Sequence, residues 1–253
     1  YLARGKLHFA VDRKSWRLES GHLTITRPWQ EHRVGNPHVQ ASRLHWLILD
    51  VGVRRPNQPW RWPSWLVLSP SDLRRLTEML RHNEQPVWAA NAQLGRCFEQ
   101  LAPLVAAPDP RASQTWLQLR LNELFVALYE MLRSKRVTLD ARLTSTRRTV
   151  EMFLASLPRH LGRPWTLDEM ARECGLARTR FAHYCQRITN LTPAQYLMRC
   201  RLEEAARLLR GKQPASVTDA AYACGFSSSQ YFATVFRRRF GCRPSDYRAR
   251  GGG

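Results

Sequence analysis

The feature that most restricts what this chain can become is an internal repeat near its C-terminus. One copy reads Leu167-Asp168-Glu169-Met170-Ala171-Arg172-Glu173-Cys174-Gly175-Leu176, followed by Phe181, Cys185, Arg187, Pro193 and Tyr196. The other reads Val217-Thr218-Asp219-Ala220-Ala221-Tyr222-Ala223-Cys224-Gly225-Phe226, followed by Phe232, Phe236, Arg238, Pro244 and Tyr247. Ala171, Cys174 and Gly175 recur 50 residues later. Phe181, Arg187, Pro193 and Tyr196 have counterparts 51 later, so the second copy holds one extra residue after its turn.

A repeat of this length is one supersecondary unit used twice. The small alanine lets two helices cross closely, and the glycine four positions on takes a positive-φ turn. A large apolar residue ten or eleven positions after the alanine then pins the second helix to the first. This is the pattern of a helix-turn-helix. Alanine–glycine spacing alone is common; two copies in register, each followed by Pro and Tyr at matching distance, make it specific. Between the copies, Pro193 opens a helix to about Leu209, with Leu197, Leu202, Ala205, Ala206 and Leu209 on its buried side. Sixteen or so residues make a rod of roughly 25 Å. Two reading helices packed at its ends would lie near one DNA turn apart, ~34 Å, and enter successive major grooves.

The charge agrees with an acidic partner. The chain carries 40 Lys+Arg against 20 Asp+Glu, a formal +20 over 253 residues, and nearly all the basic residues are arginine. From Ala141 onward there are 20 basic against 8 acidic residues; residues 1–140 have 20 against 12. Arginine's planar fork suits phosphates and guanine edges, although charge alone does not separate DNA from RNA or anionic lipid. No stretch approaches the roughly 20 apolar residues that span a bilayer. The first residues, Tyr1 to Lys6, read as part of a strand without signal peptide or initiator Met, which points to residues upstream of this numbering. The six cysteines, 97, 174, 185, 200, 224 and 242, show neither a Cys-x-x-Cys pair nor finger spacing. Those at 174, 185, 200 and 224 fall at apolar helix positions and read as small buried hydrophobes in a reducing cytoplasm; a redox sensor is the alternative.

The front of the chain reads differently. Leu7–Val11, Trp16–Leu18, Leu23–Thr26 and Leu44–Leu49 are short, β-prone and punctuated by Gly21-His22, Arg27-Pro28 and Gly35-Asn36-Pro37. Short strands at that spacing favour a small barrel or sandwich. Helical periodicity follows Ser69-Pro70-Ser71-Asp72, with further helices near 91–105 and 113–134. The last carries Leu117, Leu121, Leu124, Leu128 and Leu132 as one stripe, which reads as core packing or as a dimer seam, with Trp116, Leu119 and Phe125 widening the apolar surface. The polar stretch 135–143 marks a boundary between domains 1–140 and 141–253.

The segment Ala220-Ala221-Tyr222-Ala223-Cys224-Gly225-Phe226 through Tyr231-Phe232, then Phe236-Arg237-Arg238-Arg239-Phe240-Gly241 through Pro244-Ser245-Asp246-Tyr247-Arg248, resembles the signature of the AraC/XylS family of regulators. The resemblance spans about 147–250. More loosely, Gly21 through Pro28 to His32 resembles the Gly–strand–Pro–x–x–x–His pattern of that family's cupin-type sensor. It implies an α+β multidomain chain: an N-terminal cupin-like β-barrel with following helices, then an all-α domain of two helix-turn-helix units joined by a linker helix. It also implies double-stranded DNA, a small-molecule effector, a homodimer through helix 113–134 and RNA polymerase as partners, activation as the norm, and a cytoplasmic location.

By the same resemblance the first reading helix starts at Ala177, where many relatives hold a serine cap. Its base-facing candidates are Arg178, Thr179, Ala182 and His183, while Phe181 and Tyr184 face inward; a merely solvated face is the alternative for His183. The second offers Ser229, Gln230, Ala233 and Thr234. Glutamine can pair bidentately with adenine, and Ala and Thr suit a thymine methyl. Ser227 or Ser228 can cap that helix. Arg187, Thr192, Ser228, Arg237, Arg238 and Arg239 are assigned to phosphates, which position without specifying; for the arginine run a solvated face is again the alternative.

Eight of the nine tryptophans precede the boundary, Trp60, Trp62 and Trp65 being the densest cluster. Aromatic faces stack on sugar rings and arginines bind hydroxyls or acids, so a carbohydrate-like effector is one reading and core filling the other. The effector candidates are His22, Trp29, His32, His45, Trp46 and Trp62. A metal-sensing regulator using His22, Glu31, His32 and His45, and a ligand-independent regulator, are the alternatives; no cofactor is expected. A cupin-type enzyme is disfavoured because no His-x-His with a following Glu and later His stands at the usual spacing.

Overall fold

The computed structural model describes residues 1–12, 14–106, 113–135, 137–211 and 215–249; Gly251–Gly253, expected to fray, lie outside them. The chain divides into two compact units, Tyr1–Ser145 and Thr146–Gly253. The turn Ala141–Thr144, which the sequence assigns to the second domain, stays with the first. There His82 Nε2 meets Thr144 Oγ1 at 2.9 Å, and the Asp140 N–H donates to His82 O at 2.7 Å.

The first unit opens with strands β1 (Leu2–Arg4), β2 (Lys6–Val11), β3 (Lys14–Glu19), β4 (His22–Thr24), β5 (His32–Val34) and β6 (Arg43–Leu44), with β7 (Val87–Ala89) arriving later. They make three small antiparallel sheets: β1 with β6, β3-β2-β5, and β4 with β7. The alternation Leu7, Phe9, Val11 puts one face of β2 inward with Leu2 and Leu18, forming a small core of its own. The described strands do not close into the expected barrel. Closure needs every strand to pair on both edges, and among the described strands only β2 does. The expected strand over Leu44–Leu49 is also shorter. Its ladder runs only as far as the His45 N–H on Tyr1 O, and Trp46–Ile48 continues as exposed, unpaired chain. A β-prone run becomes a strand only where a neighbouring edge supplies its partners.

Among its described residues this unit also holds the α-helices α1 (Pro70–Arg81), α2 (Ala92–Val105) and α3 (Gln114–Ser134). Ser69 caps α1 by accepting the Asp72 N–H at 3.2 Å, with Pro70 in the first turn, and Asn91 caps α2 through the Leu94 N–H at 2.9 Å. The leucine stripe of α3 lies in the core, where Leu124 and Leu132 are buried among Leu76, Leu80, Leu94 and Phe98. Trp116, Leu119 and Val126 instead face outward, 58%, 55% and 39% exposed, so any seam with a second copy would use them rather than the stripe. Phe125, expected to widen that surface, is buried. The tryptophan-rich segment is fastened by Asn122, buried in α3, whose Oδ1 accepts the Val67 N–H at 2.8 Å and whose Nδ2 donates to Trp65 O at 3.0 Å.

In its described residues the second unit is helical: α4 (Thr146–Ser156), α5 (Leu167–Glu173), α6 (Arg178–Thr189), α7 (Pro193–Leu209), α8 (Val217–Ala223), α9 (Ser229–Phe240) and α10 (Pro244–Ala249), with a 3-10 turn at Leu157–His160. Two hydrophobic clusters share α7. Leu197 and Cys200 belong to one, with Val150, Ala171, Phe181 and Cys185; Leu202, Ala205, Ala206 and Leu209 belong to the other, with Ala221, Phe232 and Phe236. All six cysteines are free and five are buried. Burial pushes the Cys185 and Cys200 thiols up and Cys224 to about 11, which leaves little thiolate for redox chemistry.

Candidate nucleic-acid interface and ligand cavity

Each repeat copy folds as its spacing demands. Gly175 and Gly225 sit at φ +64° and +79°. The Gly175 N–H donates to Arg172 O and the Leu176 N–H to Ala171 O; fifty residues on, Gly225 donates to Tyr222 O and Phe226 to Ala221 O. Thus the two turns reuse one hydrogen-bond scheme. Phe181 and Phe232, both fully buried, then clamp the following helix, α6 or α9. A capping box between Thr166 and Glu169 starts α5, and another between Thr192 and Gln195 starts α7.

On α6, Arg178, Thr179, His183 and Arg187 are exposed and Ala182 is half-buried. Ala177 caps the helix without a side-chain bond. The Arg178 guanidinium is paired through Nε with Asp168 of α5. His183 meets the ring of Tyr184 edge-on at 5.6 Å. Gln186 continues the exposed face of Thr179, Ala182 and His183 one turn on; their 3-4-7 spacing would have identified it from sequence.

On α9, Gln230, Thr234, Arg237, Arg238 and Arg239 are exposed, with Ser228, Ser229 and Ala233 half-buried. Ser228 caps the helix, accepting the Tyr231 N–H at 3.3 Å, and donates to Gln230 Oε1 at 2.9 Å. Ser229 Oγ donates to the same oxygen at 3.4 Å, so a bidentate contact to adenine requires Gln230 to release both hydroxyls. The Thr234 hydroxyl donates to Gln230 O at 3.0 Å, leaving its methyl as the contact group. Arg239 turns away from this face and lies 4.0 Å from Glu203 of α7, apart from Arg237 and Arg238. The Thr192 hydroxyl is engaged with Gln195 in its capping box. Tyr231, 52% exposed beside Gln230, is a further candidate that the sequence reading missed, having been read as part of the motif rather than of the surface.

In the first unit, a cavity of about 540 Å³ lies between the strands and the helices. Of the six effector candidates, His32, His45, Trp46 and Trp62 line it, while His22 and Trp29 do not. His22 Nδ1 accepts the Glu19 N–H at 2.9 Å, and Trp29 carries the Arg27 guanidinium over its ring. Burial, with Arg43 nearby, holds the His45 ring below the usual histidine range, hence neutral near pH 7. Among the described residues no three His, Cys, Asp or Glu side chains converge on one point, so His22, Glu31, His32 and His45 do not form a cluster. None of the described helices is long and apolar enough to cross a membrane.

Residues 170–250 match a family model described as a helix-turn-helix domain. The chain is 32% identical over 161 residues to the HTH-type transcriptional activator RhaS of Escherichia coli strain SE11, covering 64% of this chain and 56% of that protein. It thus spans little more than half the length of the curated relatives it matches. Similar solved structures include the DNA-binding domain of AdpA in complex with a target DNA, 30% identical over 40% of this chain and 89% of that one, at a TM-score of 0.38. Another is a probable AraC family transcriptional regulator from Rhodopseudomonas palustris CGA009, 30% identical over 42% of this chain and 98% of that one, at 0.37. Residues 170–250, within the C-terminal unit, thus form a helix-turn-helix domain.

Proposed function

We propose that the chain is a sequence-specific DNA-binding regulator of transcription, an activator that responds to a small molecule held in its N-terminal unit. The observation that carries the reading is the turn used twice, which presents the outer faces of α6 and α9 from one α-helical unit joined by α7. Arg178, Thr179, Ala182, His183, Gln186, Ser229, Gln230, Ala233 and Thr234 would face bases; Arg187, Ser228, Arg237 and Arg238 would meet phosphates. Residues 1–145 form the sensor, a reduced cupin-like unit in place of a closed barrel. A second copy would pack on Trp116, Leu119 and Val126 of α3, and RNA polymerase would be the partner at the promoter. Buried thiols without disulfides suit a cytoplasmic regulator.

Selection of binding sites from random duplexes tests this. Two short motifs about 10 bp apart are expected. Recovery of no motif, with binding lost at about 0.2 M salt, would reduce the charge to a non-specific role and sink the reading.

The Arg178–Asp168 pair yields a sharper expectation. With its Nε on the carboxylate, the guanidinium keeps both terminal nitrogens for a guanine edge. The pair is well exposed and contributes little to stability. Asp168→Asn should therefore leave melting almost unchanged. It should raise affinity for random duplex about threefold by removing a charge beside phosphates. Discrimination at the base met by Arg178 should fall by about 1 kcal/mol. Titrations against single-base variants of the selected site measure this; unchanged discrimination would place Arg178 on the backbone.

A further inference from the structure

The N-terminal cavity is of a size that takes a small organic ligand, and its wall says which class. This inference rests on the effector reading above. The charged groups on the wall are already engaged: Arg54 forms a two-pronged pair with Asp50 at 3.0 and 2.9 Å, and Arg27 Nη1 donates to Arg81 O and Asn83 O. The ring faces of Trp60 and Trp62, from the densest tryptophan cluster, are engaged too. Trp60 packs on Trp62 at 5.6 Å, Trp62 meets Phe125 edge-on at 5.9 Å, and its indole N–H donates to Thr77 Oγ1 at 2.8 Å. Much of the remaining wall is aliphatic, including Leu23, Ile25, Leu49, Leu80, Leu124 and Leu128. A sugar bears a hydroxyl on nearly every carbon, and each one moved from water against such a wall without a partner is penalised.

We propose that the effector is a largely apolar small molecule, aliphatic or aromatic with at most one polar head, and not a carbohydrate. For that head the wall offers the buried His45 Nε2 and Trp60 indole N–H, which carry no hydrogen bond, together with the Thr24 and Thr26 hydroxyls. The exposed run Trp46-Leu47-Ile48, 60%, 42% and 87% exposed, lines the same cavity. Its side chains lose water when such a ligand seats, which adds to the driving force. A hydroxyl-rich ligand would gain nothing from Leu47 and Ile48.

Isothermal calorimetry and melting of the full chain, with decanoic acid and 1-naphthol as apolar probes and xylose and glucose as sugars, test the assignment. Saturable binding of at least one apolar probe is expected, with a melting rise of a few degrees, while the sugars do nothing up to about 10 mM. Leu128→Trp, which fills the cavity, should weaken that binding at least tenfold; Trp46→Ala, at an exposed position that does not threaten folding, about threefold. Binding of xylose or glucose in preference would overturn this proposal and leave the effector reading standing. No binding by any probe would overturn both. Apolar binding that neither variant changes would place the probes outside the cavity and also overturn it.

Discussion

Phe232→Ala should destabilise the C-terminal unit by about 3–5 kcal/mol and erase one of its two half-sites while sparing the other. The magnitude follows from a fully buried ring packed at 5.0 Å on Phe226 and 5.3 Å on Phe236, whose removal leaves a cavity as well as lost transfer energy. In a unit of this size the melting temperature should fall by roughly 15 °C or more. The selectivity follows from the two clusters. Phe232 belongs to the one built on the C-terminal half of α7, whereas Phe181 and Ala171 sit in the other. Total stabilities of small domains are about 5–15 kcal/mol, so a loss of this size loosens one helix-turn-helix before the whole unit melts. Footprinting should lose protection over the α9 half-site and keep the α6 half-site, and Phe181→Ala should do the reverse. Tyr222→Ala, at a side chain 56% exposed, is the control and should change melting little. Simultaneous loss of both half-sites in Phe232→Ala would mean that the two units are one cooperative body.

What could be read from sequence follows the range of the interactions involved. The helix-turn-helix units rest on contacts within about twenty residues, so Ala171, Gly175 and Phe181 state their geometry directly, and Ser69 announces α1 for the same reason. Asn122, which fastens a segment 55 residues away, left no local signal. Neither did the failure of the sheet to close, because the pairing of β4 with β7 and of β1 with β6 joins strands separated by long stretches of chain. The tryptophans were visible as residues, but their partners were not. Trp62 looks free to stack on a ligand until Thr77 and Phe125 are seen to hold it. On the reading helices, spacing named the faces, yet it gave no sign that Asp168 holds Arg178 or that two serines hold Gln230.

The same distinction separates two glycines that look equivalent in sequence. Gly225 and Gly241 both follow a helix and both adopt a left-handed backbone, at φ +79° and +75°. A methyl group at Gly241 would meet nothing within 4 Å, so Gly241→Ala should cost only the conformational penalty, about 1 kcal/mol. A methyl at Gly225 would lie 2.3 Å from Leu161 O and 2.7 Å from Arg201 Nη2. The first of these is backbone and belongs to the other helix-turn-helix cluster; it cannot yield without moving that cluster. Arg201 is tied as well, donating through Nη2 to Arg163 O at 2.9 Å. Gly225→Ala should therefore cost about 3 kcal/mol, the conformational penalty plus overpacking at a close approach. The larger consequence is geometric. Leu161 and Gly225 are where the two halves of the unit abut, so a forced displacement there changes the spacing of α6 and α9. A duplex carrying both motifs should lose at least tenfold in affinity, whereas a duplex with the α6 motif alone should bind nearly as before. Equal losses on single and paired motifs would show that Gly225→Ala acts on stability alone and that the spacing of the reading helices is set elsewhere.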